Sequence, residues 1–127
     1  MVNMEYDLEK RTLEFSKEMV VFIKSIPITM YNKNILEQML RSVTSTGANY
    51  REANAASSRN DFRNKIYICR KEVQETKYWI ELLAATNPEH KDKLRFFWKE
   101  AQELTLIFSK VTSSLNKRNK AVTKIEN

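Results

Sequence analysis

Within residues 61–83, Phe62, Ile66, Cys69, Val73, Thr76, Ile80 and Leu83 recur at alternating spacings of four and three. That period keeps one face of an α-helix on a buried seam, so the stretch predicts a long, unbroken amphipathic helix. The rest of the chain offers little else to fold into. One glycine and two prolines in 127 residues leave scant material for tight turns, hairpins or linkers, which favours an all-α architecture over a sheet. A helical chain of this length suits a single core and can bury it without disulfide or metal support.

Reading outward from that helix gives three more. Asp7 is placed to cap a first helix running to about Ile26, with Leu8, Phe15, Met19, Phe22 and Ile26 on its inward stripe and Pro27 as its stop. Asn34 with Glu37 three residues on reads as a capping pair for a second helix ending near Ala56, its seam Leu36, Leu40, Val43, Gly47 and Tyr50. Gly47 in mid-helix costs on the order of 1 kcal/mol relative to alanine, and close approach of a neighbouring backbone is the expected compensation. Ser58, with Asp61 three residues later, starts the third helix, which ends at Thr86. Asn87-Pro88-Glu89 reads as cap, proline at the first helical position and acid in the first turn of a fourth. Its core stripe is Leu94, Phe97, Trp98, Ala101, Thr105, Phe108 and Leu115. Past Asn116 the pattern dissolves, so the expectation is a bundle over residues 1–116 and a basic tail over 117–127. Four helices with short connections pack most simply as an antiparallel up-down-up-down four-helix bundle.

The pattern carries no evident bond-making chemistry. Cys69 lies on the apolar seam and has no partner for an internal disulfide, which marks it as a small core residue in a reducing compartment. A di-iron bundle needs a Glu-x-x-His pair on each of two helices, and zinc needs several Cys or His ligands; this chain has one histidine, His90. Glu72 and Glu75 share a helix face, where pairing with Lys71 and Lys77 as solvated charges outweighs any acid–base role. The reading is therefore non-enzymatic, with no metal and no cofactor. The first eleven residues carry acids where a signal peptide needs a basic start, and no apolar run approaches the length of a membrane span. A cytoplasmic protein without membrane attachment is expected.

Charge gives the one positive lead. The net charge is +6, and residues 91–127 hold nine basic against four acidic side chains while the first ninety are nearly balanced. Lys117, Arg118, Lys120 and Lys124 in the tail, with Arg51, Arg59 and Arg63 around the turn between the second and third helices, are the candidate contacts to an RNA or DNA backbone. Such contacts would be weak, salt-sensitive and indifferent to sequence. Leu13, Val20, Ile68, Tyr78 and Leu82 lie off the main seams and form a second apolar face that a single copy would leave wet, so self-association is expected through them. The competing reading uses those faces to hold another protein, with the charge serving solubility alone.

The segment Ser45 to Leu83 resembles the four-helix-bundle proteins encoded within intervening sequences of bacterial 23S ribosomal RNA genes, the S23 family. The resemblance rests on Ala48-Asn49-Tyr50 followed by Glu52, on Asp61-Phe62, and on Glu75-Thr76-Lys77-Tyr78-Trp79 with Glu81-Leu82-Leu83. It extends over nearly the whole chain. It implies an antiparallel bundle that assembles into a homopentamer, and kinship with the accessory variability proteins of diversity-generating retroelements, whose basic five-fold barrels engage nucleic acid. In many members a glycine follows the glutamate matching Glu52; here it is Ala53.

Overall fold

The computed structural model describes the backbone of residues 4–126 and the side chains of residues 8–118. Four helices follow one another: α1 (Met4–Ser25), α2 (Lys33–Asn54), α3 (Arg59–Thr86) and α4 (Lys91–Glu126), with a 3-10 turn over Pro88–His90 leading into α4. There is no strand among the described residues. Each helix packs on the next and α1 returns to α4, while the diagonal pairs α1–α3 and α2–α4 make no close backbone approach. Side-chain contacts fix the directions. Glu9 meets Asn54 while Ser16 meets Val43, Arg41 meets Glu72 while Glu52 meets Lys65, and Tyr67 meets Asn116 while Lys77 meets Gln102. In each pair a later residue on one helix meets an earlier one on its neighbour, so successive helices run antiparallel.

The core is the stripe that the periodicity marks, with some shifts. All five inward positions expected on α1 are buried, as are Ile66, Cys69, Val73, Thr76, Ile80 and Leu83 on α3, with Phe62 half-buried at its edge. Phe97 of α4 sits at the centre, its ring centroid 6.2 Å from that of Phe15 and 5.2 Å from that of Phe22. On α2 the buried side is Ile35, Leu36, Met39, Ser42, Val43, Thr46, Tyr50 and Ala53. Leu40, expected on that seam, is exposed, and Met39 takes its place. Five threonines are buried, Thr76 and Thr105 on the expected stripes and Thr12, Thr46 and Thr112 outside them, and each satisfies its hydroxyl on a carbonyl one turn back, as Thr12 does on Leu8 (2.8 Å) and Thr105 on Ala101 (2.8 Å).

The helix ends correct several local expectations. α1 is already under way at Met4, so Asp7 lies in its first turn instead of ahead of it. The residue before α2 is Asn32, and Asn34 sits inside the helix. Asn32 does not cap; its fully buried amide accepts from Thr29 N (2.7 Å) and donates to Pro27 O (3.1 Å) and to Asn87 Oδ1 (3.1 Å). It thereby ties the α1–α2 loop to the α3–α4 turn. Asn87, spent on that contact and on Glu89, makes no cap bond of its own, and the chain passes through the 3-10 turn before α4 begins. Ser58 does cap α3, its Oγ accepting from Asp61 N at 3.1 Å. α2 closes at Asn54 without a left-handed residue, the Ala55 amide reaching the Arg51 and Glu52 carbonyls at 3.2 Å, so no glycine is needed at that position.

Candidate nucleic-acid interface

Because α3 and α4 run antiparallel, the start of α3 lies beside the second half of α4. Arg59, Arg63 and Arg70 come from one and Lys110, Lys117 and Arg118 from the other. Two clefts record the convergence. Arg59, Lys110 and Arg118 rim a cleft of about 540 Å³, and Arg70 and Lys117 flank a neighbouring groove of about 340 Å³ with Tyr67, Ser109 and Asn116. Between them, Arg63 Nη1 donates to Asn116 Oδ1 at 3.4 Å, Asn116 donates to the Tyr67 hydroxyl at 2.9 Å, and the Arg70 guanidinium lies over the Tyr67 ring at 5.4 Å. The Arg63 Nε–H is sequestered without an acceptor among the described residues.

Several cations elsewhere are paired across helix seams, although Lys91, Lys93, Arg95 and Lys99 in the first turns of α4 have no carboxylate partner among the described residues. Arg11 of α1 pairs with Glu100 (2.6 Å) and Glu103 of α4; Arg41 of α2 pairs with Glu72 (3.0 Å) and Glu75 of α3; Lys65 pairs with Glu52 at 2.9 Å. Among the described residues, none of the six cations on the α3–α4 surface has a carboxylate partner. Of the residues read from the sequence as backbone contacts, Arg59, Arg63, Lys117 and Arg118 are thus brought together. Arg51 is not: it points to the α1–α2 side, 3.6 Å from Glu9. Lys120 and Lys124 lie outside the residues whose side chains are described. Arg70 and Lys110 were missed, because their membership depends on the pairing of two helices distant in sequence.

The expected apolar face is only partly exposed. Ile68 and Tyr78 are open to solvent, Leu13 and Val20 are half-buried, and Leu82 packs against the core edge. Leu106 on α4 and Val21 on α1 are more exposed than any of these, and Phe96 on α4 is as exposed as Tyr78. The doublets Val20-Val21 and Phe96-Phe97 carried the signal, since two consecutive helical residues cannot both face one core. Ile68 and Tyr78 share their side of α3 with Glu75, which meets Arg41 of α2. Phe96 and Leu106 share theirs of α4 with Glu103, which meets Arg11 of α1. Two different apolar patches therefore occupy opposite faces. A third cluster, Ile28, Met30 and Tyr31, projects from the loop that Asn32 pins.

The remaining candidates for chemistry are engaged structurally. Glu72 and Glu75 hold Arg41 across the α2–α3 seam and not Lys71 or Lys77, as the one-helix view predicts; Lys77 instead donates to Gln102 at 2.6 Å and covers the Trp98 ring. His90 stands edge-on to Phe22, 5.5 Å between centroids. Cys69 is fully buried with Sγ 3.6 Å from Thr46 O, and burial pushes its thiol up to about 12. No group of three or more His, Cys, Asp or Glu side chains that could hold a metal occurs among the described residues. Within the same limit, no helix is long and apolar enough to cross a membrane.

Comparison with known proteins places this geometry. The family described as 23S rRNA-intervening sequence protein matches residues 4–110. A crystal structure of a protein of unknown function from the S23 ribosomal protein family of Bacteroides thetaiotaomicron VPI-5482 is 34% identical, covers 82% of this chain and 96% of its own, and superposes with a TM-score of 0.71. No curated protein matches.

Proposed function

We propose, on the premise that this chain belongs to the 23S rRNA-intervening sequence protein family, that it is a non-enzymatic, homo-oligomeric bundle that binds RNA or DNA backbones weakly and without sequence preference. The observation that carries the reading is the convergence of six cations from α3 and α4 around two adjoining clefts, none with a carboxylate partner among the described residues. Guanidinium and ammonium groups left free along two adjacent helices attract phosphates, and an assembly repeats the set around its axis. Opposite apolar patches that differ from one another suit a head-to-tail contact, which closes into a ring when the rotation allows. A homopentamer is the assembly we infer.

The test is fluorescence anisotropy of a labelled single-stranded RNA against salt. Binding is expected to weaken linearly on logarithmic axes, and Arg63→Glu with Lys117→Glu to cost about tenfold or more, while Arg51→Glu changes little. No binding at low ionic strength would remove the reading. A protein-interaction scaffold is the alternative, favoured by the pinned loop that presents Ile28, Met30 and Tyr31 to solvent.

A further inference from the structure

The cleft of about 540 Å³ beneath Arg59, Lys110 and Arg118 is open space at one end of the bundle core, and all four helices contribute to its walls. Its floor is Tyr50 and Ile66, both fully buried, and its sides are Phe62, Ile107, Val111 and Leu115. Its volume lies within the roughly 300–1,000 Å³ that small-ligand sites occupy, and spaces between bundle helices are a common place for them. Two features define what would fit. The walls are aliphatic and aromatic, with Ser114 the one aliphatic hydroxyl, so they offer little to read the polar edges of a nucleobase. The rim holds three cations with no carboxylate among the lining residues. A second copy docking its exposed loop of Ile28, Met30 and Tyr31 would bring Lys24 and Lys33 toward those same cations, with no acid between Glu18 and Glu37 to offset them.

The geometry points to a binding site for a single-chain fatty carboxylate, its chain lying between α3 and α4 and its carboxylate on Arg59, Lys110 and Arg118. The apolar walls remove the chain from water, and the rim supplies charge-assisted hydrogen bonds to the head. The site shares Arg59, Lys110 and Arg118 with the proposed nucleic-acid surface, but its test contains no nucleic acid, so either reading can fail without the other.

Dodecanoate, kept below its micelle concentration, is titrated into the full-length protein by calorimetry and by methyl-resolved NMR. Saturation at one per chain is expected, with shifts at the Ile66, Ile107, Val111 and Leu115 methyls and none at Leu36 or Leu94 toward the other end. Dodecyltrimethylammonium, of equal chain length and opposite charge, should bind about tenfold more weakly, and Lys110→Glu with Arg118→Glu should weaken dodecanoate by a similar factor. Both substituted residues are exposed, so an unchanged melting temperature separates loss of the site from loss of the fold. Absence of saturation, equal binding of the cationic amphiphile, or shifts confined to other methyls would overturn the assignment. So would a cleft already filled by another copy, seen as shifts of the same methyls on dilution and no response to dodecanoate.

Discussion

Asn32 is the side chain on which one end of the molecule depends. It is fully buried and makes three hydrogen bonds, to Thr29, Pro27 and Asn87. Asn32→Ala would remove all three bonds, each worth about 1 kcal/mol, and a loss of about 3 kcal/mol in chemical denaturation is expected; a loss below about 0.5 kcal/mol would show that the loop does not need it. This role was not legible in the sequence, because Asn87 lies 55 residues away and only the fold brings the two amides together. Cys69 was legible, since its place on the seam already implied burial. With the native thiol pushed up to about 12 and the unfolded one near 9.0, the unfolded chain gives up its proton first as pH rises. Stability from this group is whole below about pH 9 and is lost progressively toward pH 12, with a slope of at most about 1.4 kcal/mol per unit. Denaturation from pH 9 to 11 should show a steeper decline for the native sequence than for Cys69→Ala. The native thiol should also resist aromatic disulfide reagents at pH 8 until denaturant is added.

Among the elements, α2 shows most clearly what periodicity can and cannot convey. Its buried side includes Ser42 and Thr46, which an apolar stripe does not count, and their hydroxyls meet α3 or their own helix: Ser42 Oγ lies 2.7 Å from Thr76 Oγ1, and Thr46 donates to Ser42 O at 2.9 Å. With those two positions silent, Leu36-Leu40-Val43 is as good a seam as Leu36-Met39-Val43, and the sequence favours the wrong member. The close approach expected at Gly47 is present, since a Cβ there would lie 3.4 Å from Ser16 Oγ and 3.6 Å from the Thr12 carbonyl of α1. Those are ordinary contacts. Gly47→Ala should therefore gain helix propensity without a clash and raise stability by about 0.5–1 kcal/mol; a loss of that size would mean that α1 and α2 must sit closer than they do here. α3 was read nearly whole, cap included, because its stripe is apolar but for Thr76 and Ser58 acts on a neighbour three residues away.

At the scale of the molecule, the bundle distributes its charge and its grease unevenly. Arg41 and Arg11 are matched by carboxylates across helix seams, whereas the cations of the α3–α4 surface are left to solvent or to a ligand. Exposed Phe96 and Leu106 lie on one face and exposed Ile68 and Tyr78 on the opposite one. Tyr78→Lys with Leu106→Lys should lower the mass of any assembly while leaving the helical content unchanged, since both side chains are more than half exposed. The proposed meeting of these faces in a ring of copies is tested most directly by the particle mass in solution. Sedimentation equilibrium at micromolar concentration should return about five times the 15.1 kDa of one chain. A particle of 15.1 kDa that persists as concentration rises would contradict it.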